Sequence, residues 1–338
     1  MKVARLHGLG DVRLSEEADP VPGPGESLVR VTAVGLCGSD LHWFSEGGIG
    51  DAQLADPLVL GHEGAGVVVG GSLDGTLVAI DPADPCGRCE LCLAGHRNLC
   101  PRVRFAGHGR NDGLLRELIA WPTHLLHPIP DTLSPADAAM LEPLGVALHA
   151  HDLAHTRLGQ SVLVAGCGPI GLAVVQLARL GGARTVIAVE PLAHRRAAAA
   201  RLGADLVLDP ADGDVVARVL EATGLGVDVA FEAAGNDDAV GLCVEATAPG
   251  ATVILAGIPG EDSTTFPAGA ARRKGLTLKL SRRMKEMYPR TIDLATRGAV
   301  DVRSLVTDTF ALDDAARAFA VAERREGLKV VVDPSRRG

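Results

Sequence analysis

Two short segments of the chain carry the residue types best suited to chemistry. The first reads Cys37-Gly38-Ser39-Asp40-Leu41-His42, and the second reads Gly61-His62-Glu63. A thiolate, an imidazole and a carboxylate are ligands that suit a zinc ion, and three protein ligands leave one coordination position open for a substrate. The two segments therefore predict a catalytic metal site.

A glycine-rich turn follows an apolar run in the middle of the chain. Gly166-Cys167-Gly168-Pro169-Ile170-Gly171 comes directly after the run from Ser161 to Ala165. This pattern is typical of dinucleotide binding, because its glycines permit a tight turn and a close approach to a pyrophosphate at a helix start. A metal and a dinucleotide in one chain indicate hydride transfer.

An acidic residue indicates which dinucleotide binds. Glu190 ends the second predicted strand, where it would hydrogen-bond the 2'-hydroxyl of the adenosine ribose and repel a 2'-phosphate. We therefore expect NAD. NADP is the alternative, because Arg195 and Arg196 follow closely and could bind a phosphate, although Arg195 could equally belong to a solvated helix face.

Four cysteines lie close together between residues 86 and 100. Their spacing is Cys86-x2-Cys89-x2-Cys92-x7-Cys100. Four thiolates satisfy a tetrahedral zinc ion and leave no open position, so we expect a structural zinc that ties a loop together. The alternatives are an iron–sulfur cluster, disfavoured by the seven-residue gap, and thiols that bind no metal.

Composition limits the classes of function. The chain has 338 residues, of which 47% are hydrophobic, and a net charge of −9 without a basic block. Two domains with cores of their own are expected, and nucleic acid is a poor candidate partner. The beginning of the sequence lacks an apolar signal segment, and no apolar stretch could span a membrane, so we expect a cytoplasmic protein that binds small molecules.

The distribution of Pro, Gly and apolar residues changes near residue 150. Before it, Pro and Gly interrupt short strand-like runs, which predicts a compact β domain without long helices. After it, apolar runs alternate with helical periodicity, which predicts a βαβ series with a parallel sheet. The predicted strands are 161–165, 185–189, 206–208, 227–231 and 251–255, and the predicted helices between them are 170–180, 192–202 and 214–223.

Nearly the whole chain resembles the zinc-containing medium-chain dehydrogenase/reductase superfamily, and within it the branch of sorbitol, xylitol and idonate dehydrogenases. The motifs that carry the resemblance are 35–42, 60–63, the four-cysteine loop, Glu142-Pro143-Leu144 and the glycine turn. The polyol branch is indicated by Glu142, because typical alcohol dehydrogenases of the superfamily have a cysteine there. The resemblance implies a GroES-like β-rich domain (1–145, completed by about 291–338) and a Rossmann domain (146–290).

The resemblance also implies roles for individual residues. Cys37 and His62 would bind the catalytic zinc, and Glu63 and Glu142 would either bind it or hold its water. Ser39 would take the proton of the substrate hydroxyl, and His42 would deliver it to solvent. For each of these residues a purely structural reading stays open: a buried thiol, a core histidine, a helix start for Glu142, a turn serine or a surface histidine.

Contacts with substrate and cofactor are implied for a few more residues. Trp43 and Arg283 match positions that contact polyols, and Arg283 with the segment Ala256-Gly257-Ile258 matches cofactor contacts. Four cations between Arg282 and Arg290 could favour a phosphorylated or acidic sugar, but a solvated helix face is the preferred interpretation. Relatives form dimers or tetramers through the Rossmann sheet, and the run 251–255 could supply its edge.

Other functions remain open. One is a dehydrogenase of the same scaffold for threonine, an aminocyclitol or a simple secondary alcohol. The other is a protein that holds NAD and zinc without catalysis. The metal-binding and proton-transferring residue types are all retained, which favours an enzyme with a small-molecule alcohol or polyol as its substrate.

Overall fold

The structure is a computed structural model that describes residues 1–260 and 263–336. The chain forms two compact units. The first contains Met1–Glu142, Tyr288–Gly298 and Val302–Gly338, and the second contains Pro143–Met287 and Ala299–Asp301. The segment 291–338, expected to complete the first domain, includes residues 337 and 338, which lie outside the described residues.

Short strands and helices alternate up to residue 139, as the frequent Pro and Gly residues predict. The strands are β1 (Lys2–Gly8), β2 (Asp11–Glu16), β3 (Glu26–Gly35), β4 (Gly48–Ile49), β5 (Ala52–Gln53), β6 (Glu63–Val69), β7 (Leu77–Ile80), β8 (Ala83–Asp84), β9 (Arg104–Phe105), β10 (Leu118–Pro122) and β11 (Leu126–Pro128). The helices are α1 (Gly38–Glu46), α2 (Glu90–Leu93) and α3 (Pro135–Ala139), followed by the longer α4 (Leu141–Ala154).

Longer helices and apolar strands alternate in the next part of the chain. In order these are β12 (Ser161–Ala165), α5 (Pro169–Leu180), β13 (Thr185–Val189), α6 (Ala193–Arg201), β14 (Leu206–Leu208), α7 (Val215–Thr223), β15 (Val227–Glu232), α8 (Asp237–Ala246), β16 (Thr247–Leu255), α9 (Ala268–Lys274) and β17 (Thr277–Leu280). The chain ends with α10 (Tyr288–Thr296), β18 (Val306–Ala311), α11 (Ala315–Glu323) and β19 (Lys329–Asp333). Among the described helices, none combines the length and the apolar character needed to cross a lipid bilayer.

The main sheet of the first unit joins residues from both ends of the chain. Its described strands pair in the order β11-β7-β6-β3-β19-β18, and β10 also pairs with β3. Antiparallel pairing places Gly35 opposite Glu63 on one side and opposite Val331 on the other. The end of β3 therefore lies between the second predicted ligand segment and the last strand of the chain. Fully buried valines of β3, including Val29 and Val31, anchor this region in the core.

The sheet of the second unit is parallel throughout the described strands. Its order is β14-β13-β12-β15-β16-β17, so the chain runs outward in both directions from β12. This doubly wound arrangement confirms the predicted α/β fold class. The run 251–255 was expected to form a sheet edge, and this prediction is wrong, because β16 pairs with a neighbour on each side. The two edge strands of this sheet are β14 and β17, and β17 (Thr277–Leu280) is not among the strands predicted from the sequence.

The cationic segment before the last part of the chain is not a helix face. Helix α10 begins only at Tyr288, so Arg282, Arg283 and Lys285 lie in the irregular stretch that precedes it. Arg283 has a φ of 53°, a left-handed conformation that side chains other than glycine adopt infrequently. The interpretation of these cations as one solvated helix face is therefore wrong for three of the four.

Candidate metal centres and dinucleotide turn

Three of the predicted ligands converge in the first unit. Cys37 immediately precedes α1, while His62 and Glu63 lie at the start of β6, and the pairing of β3 with β6 brings the two segments together. Their ligand atoms all lie within 4.8 Å of one another. A thiolate, an imidazole and a carboxylate at this separation match the donor set of a zinc site with an open position.

A buried aspartate holds the two ligand segments in place. One Asp40 carboxylate oxygen accepts a hydrogen bond from the Cys37 backbone N–H (3.0 Å), and the other accepts one from the Gly61 N–H (3.1 Å). The second oxygen also lies 3.4 Å from His62 Nδ1. With Nδ1 facing a carboxylate, the Nε2 atom of His62 is the nitrogen left for a metal.

The charge of Asp40 also changes the pKa of His62. Burial alone would lower the pKa of this imidazole, but the Asp40 charge and hydrogen bond outweigh burial and hold the pKa well above its ordinary value. The pKa of Asp40 is in turn lowered: burial would raise it, but the nearby His62 and the backbone hydrogen bonds prevail. A metal that binds to His62 must therefore displace a proton, so metal affinity falls at low pH.

Glu63 shows the clearest sign that a cation belongs here. Its side chain is 1% exposed, and its Oε1 atom is buried without a hydrogen-bond partner among the described residues. A buried carboxylate oxygen that lacks a donor is costly unless a cation pairs with it. Gly35 makes room for the carboxylate, since a Cβ atom at that position would lie 2.3 Å from Glu63 Oε2. These residues fit a zinc ion.

Glu142 lies near the ligand set but outside it. It is in the first turn of α4, is buried, and is absent from the group of atoms that lie within 4.8 Å of one another. Burial raises the pKa of its carboxyl to about 8, opposed by His62 and assisted by the charge of Glu63. Glu142 therefore lies at the start of a helix, and its role as a zinc ligand or as the residue that holds the zinc-bound water stays a prediction.

Helix α1 carries the other residues expected to act near the metal. Ser39 Oγ is 3.3 Å from His62 Nε2, and His42 Nδ1 is 2.9 Å from Glu46 Oε2 at the end of the same helix. Trp43 faces the core and is only 1% exposed, with its ring edge against His108. Trp43 therefore forms part of a buried wall, and a contact with substrate stays a prediction.

The four clustered cysteines form a compact set of their own. Their ligand atoms also lie within 4.8 Å of one another, with Sγ–Sγ distances of 3.4 Å for Cys89–Cys92 and 3.9 Å for Cys89–Cys100. A tetrahedral zinc ion with bonds of ~2.3 Å holds thiolates ~3.8 Å apart, whereas a disulfide brings sulfurs to ~2.05 Å. All seven cysteines of the chain are free thiols. The spacing fits one tetrahedral metal ion.

Hydrogen-bond donors and burial change the pKa values of two of these cysteines. The Arg88 backbone N–H and the Arg102 guanidinium lower the pKa of Cys86 to about 5, and Arg102 Nη2 lies 3.3 Å from the Cys86 sulfur. Burial raises the pKa of Cys92 to about 12. A thiolate is the form that binds a metal, so Cys86 is ready to bind while Cys92 must lose its proton on binding.

The glycine turn of the second unit has the shape that a pyrophosphate needs. Gly166 has a φ of 94°, and a Cβ atom on Gly171 would lie 1.9 Å from the Gly166 carbonyl oxygen. Helix α5 begins at Pro169, and its N-cap residue Gly168 has no side chain to cap the first N–H groups. The first N–H groups of the helix, such as that of Ile170, therefore receive no side-chain cap from Gly168, and a helix start of this kind fits a dinucleotide phosphate.

Glu190 is fixed beside this turn by backbone donors. Its two carboxylate oxygens accept hydrogen bonds from the N–H groups of Cys167 (2.7 Å) and Leu192 (3.0 Å). Arg196 is held away by Asp209, whose carboxylate lies 2.7 Å from the guanidinium, and by carbonyl oxygens at 190 and 191. Arg195 Nη1 lies near Gly168, 3.8 Å from the position of a Cβ atom there.

The remaining predicted cofactor residues follow the carboxyl ends of neighbouring parallel strands. Ala256, Gly257 and Ile258 come after β16, and Arg283 comes after β17. Glu232, at the end of β15, accepts hydrogen bonds from the N–H groups of Ala234 and Gly235 on one loop and of Gly257 on the other. The glycine turn, Glu190 and this loop pair thus share one edge of the sheet, where ligands of such sheets bind.

Three buried charged residues of these sites were not identified from the sequence: Asp40, Glu232 and Lys329. Lys329 Nζ lies 2.5 Å from Glu63 Oε2 and donates to the Leu36 carbonyl oxygen at 3.0 Å. A lysine inside the apolar run 328–332 was the available signal, because an unpaired lysine is almost never fully buried. Its partner could not be identified from the run itself.

Comparisons with known proteins agree with this geometry. Residues 23–131 match the family model of the alcohol dehydrogenase GroES-like domain, and residues 169–297 match that of zinc-binding dehydrogenases. Sorbitol dehydrogenase of Bacillus subtilis (strain 168) is 34% identical, covering 99% of this chain and 98% of its own.

Solved structures show the same similarity. L-idonate 5-dehydrogenase of Escherichia coli K-12 superposes with a TM-score of 0.91 at 27% identity, covering 98% of this chain and 97% of its own. A Sinorhizobium meliloti 1021 protein described as a zinc-binding dehydrogenase, solved with bound NADP, superposes with a TM-score of 0.90 at 34% identity and covers 98% and 99% of the two chains.

Proposed function

The chain belongs to the zinc-containing medium-chain dehydrogenase/reductase superfamily, and on that premise we propose that it transfers hydride between a secondary alcohol and NAD. The proposed substrate is a polyol, a cyclitol or a sugar derivative. The observation that carries the proposal is the convergence of Cys37, His62 and the orphaned Glu63 oxygen in one buried set. The similarity to a sorbitol dehydrogenase and to an idonate dehydrogenase supports the substrate class.

Two zinc ions are proposed per chain. Cys37, His62 and Glu63 would hold the catalytic ion, with Glu142 beside them, and the four-cysteine set would hold a structural ion. A zinc ion at the first site supplies Lewis acidity that lowers the pKa of a substrate hydroxyl, and the nicotinamide supplies the hydride acceptor.

Residues of α1 would manage the proton that leaves the alcohol. Ser39 Oγ lies beside His62 Nε2 and would relay the proton, accepting it from the substrate hydroxyl while it passes its own proton on towards His42. His42 lies one turn further along α1, and its hydrogen bond with the exposed Glu46 side chain links it to solvent. An imidazole suits the release of a proton near neutral pH.

NAD is proposed as the cofactor over NADP. The Glu190 carboxylate is fixed beside the glycine turn, and its charge would repel a 2'-phosphate. Arg196, which could have bound such a phosphate, is paired with Asp209. Because one similar structure contains NADP, the two cofactors must be compared directly, and we expect kcat/KM to be at least about tenfold higher with NAD.

We also propose that the protein is cytoplasmic and forms a homodimer or homotetramer. The seven free thiols fit a reducing compartment. The edge strand β17 ends in Leu280, whose side chain is 76% exposed, and an exposed apolar strand edge favours pairing with another chain. Analytical ultracentrifugation would measure the mass, and a monomer at micromolar concentration would contradict this assembly.

An initial-rate assay at the reduced-nicotinamide absorbance band tests the function. Linear polyols, cyclitols, sugar phosphates, threonine and simple alcohols are offered with NAD and with NADP. Ser39→Ala should lower kcat by about 10²–10⁴-fold, as expected for loss of a proton-transfer group. Ser45→Ala is the matched control on the same helix, and it should keep wild-type rates because, among the described residues, the Ser45 hydroxyl donates only to the Leu41 carbonyl. Turnover of threonine or a simple alcohol alone would contradict the proposed substrate class.

A further inference from the structure

Lys329 is a buried cation in an otherwise apolar strand. It is the first residue of β19, its side chain is 2% exposed, and Val330 to Val332 follow it into the core. The register of β19 with β3 pairs Val331 with Gly35, and the Leu36 N–H donates to the Val330 carbonyl. If the same register were continued for two more residues, Lys329 would lie opposite Cys37.

Lys329 contacts only one of the two carboxylate oxygens of Glu63 among the described contacts. Lys329 Nζ lies 2.5 Å from Glu63 Oε2 and 3.0 Å from the Leu36 carbonyl oxygen. Glu63 Oε1 has no hydrogen-bond partner among the described residues. A buried ion pair contributes little to stability, because the cost of removing both charges from water offsets their attraction. Stability therefore does not explain why this ion pair is buried, and its contact with Glu63 points to a role in function.

We propose that Lys329 is a positioning residue that makes Glu63 a one-oxygen ligand and keeps the metal site positively charged. The inference rests on the proposed function. Two anionic ligands, Cys37 and Glu63, would cancel the charge of a divalent zinc ion, and the Lys329 ammonium restores one positive charge. A positive site stabilises the negative charge that develops on the alcohol oxygen.

The restriction of Glu63 to one oxygen also preserves the open coordination position. A carboxylate can bind a metal through one oxygen or through both. Released from Lys329, Glu63 would offer Oε2 as well as Oε1, and the coordination number would rise from four to five. Gly35 leaves the space that the Glu63 carboxylate occupies, because a Cβ atom at that position would lie 2.3 Å from Glu63 Oε2.

Cobalt substitution distinguishes these states without any substrate. The catalytic zinc is replaced by cobalt(II), whose visible absorption weakens when coordination rises from four to five. We expect Lys329→Met to retain both metals per chain, to show the weaker five-coordinate spectrum, and to lose about 10–100-fold in kcat. Lys329→Arg should restore the four-coordinate spectrum. Lys279→Met is the matched control, since within the described part of the chain Lys279 Nζ donates only to the Leu153 carbonyl, and its spectrum should equal that of the wild type.

A double variant keeps the test decisive if Lys329→Met does not fold. Lys329→Met with Glu63→Gln removes both charges of the pair, so the net charge of the ligand set equals that of the wild type. We expect it to fold, to bind cobalt in the four-coordinate form and to be more active than Lys329→Met.

Three results would overturn the proposal: a wild-type cobalt spectrum in Lys329→Met, loss of the catalytic metal from that variant, or a double variant no better than it in spectrum and rate. If no alcohol is turned over by the wild type, the spectra still decide the role of Lys329. A failure of the proposed function is thereby separated from a failure of this inference.

Discussion

Replacing Asp40 with asparagine should weaken the catalytic metal site far more than it weakens the fold. The Asp40 carboxylate is fully buried, accepts hydrogen bonds from the N–H groups of Cys37 and Gly61, and faces His62 Nδ1. Asparagine has the same size but only one acceptor oxygen, so its amide N–H₂ must face at least one backbone N–H group or the imidazole.

The expected magnitude follows from the hydrogen bonds that are lost. A bond to a charged acceptor contributes about 1.5–3 kcal/mol. An amide oxygen retains one of the two backbone bonds at reduced strength, so we expect a loss of about 2–4 kcal/mol in the free energy of unfolding. Loss of the carboxylate that orients His62 should in addition lower zinc affinity by about 10–100-fold.

A second buried aspartate supplies a matched control. Asp137 is likewise the third residue of a helix, accepts a hydrogen bond from the Ser134 N–H at 2.9 Å, and is 1% exposed, but it pairs with Arg303 and no predicted metal ligand. Asp137→Asn should lower the free energy of unfolding by a comparable amount and leave zinc affinity unchanged.

Two measurements on both variants test this reasoning. Urea denaturation gives the free energy of unfolding, and competition with a chelator gives the affinity of the more weakly held zinc. If Asp40→Asn binds zinc as tightly as the wild type, or if Asp137→Asn loses zinc equally, the assignment of Asp40 as the residue that orients the ligands is refuted.

Three further perturbations have defined outcomes. Burial raises the pKa of Glu142 to about 8, which lies above the value of this group in the unfolded chain. The metal-free chain should therefore lose stability as pH rises from about 4.5 to 8, by up to about 5 kcal/mol. Glu142→Gln should abolish this loss, as measured by urea titrations at pH 5 and 8. Cys100→Ser should reduce bound zinc from two ions to one and lower the Tm, as measured by elemental analysis and calorimetry; retention of two ions would contradict the four-sulfur set. Gly35→Ala should remove the catalytic zinc only, since its Cβ atom would lie 2.3 Å from Glu63 Oε2, whereas Gly38→Ala has no atom within 4 Å of its Cβ and should keep both ions.

The sequence predicted those parts of the sites whose residues are close together in the chain. The four cysteines fall within one short segment, and the glycine turn is a continuous six-residue pattern between a strand and a helix. In both cases the local spacing already constrains the geometry. The α/β class could be predicted for the same reason, because the alternation of apolar runs and helical periodicity is a local signal.

The parts that were missed depend on which strands pair. Lys329 is 266 residues from Glu63, and only the return of β19 to β3 brings them together. The order of strands likewise decides that Thr277–Leu280, a short strand of alternating polar and apolar residues, lies at one edge of the sheet and that β16 does not. A single sequence contains no direct signal for such pairings. The contact of Asp40 with the two ligand segments could not be predicted for another reason. An acid in the first turn of a helix is ordinarily explained by its interaction with the helix N-terminus alone.

The position of β19 at the end of the chain has a consequence for biosynthesis. The four-cysteine segment is complete once residue 100 has left the ribosome, so the proposed structural ion would find all four of its ligands while later residues are still being added. The other metal set obtains its lysine only when residue 329 is free to pair with β3, which is 229 residues after Cys100. The contact between Lys329 and Glu63 would therefore be completed after the four-cysteine set, and a chain truncated before β19 would lack this lysine at the other metal set.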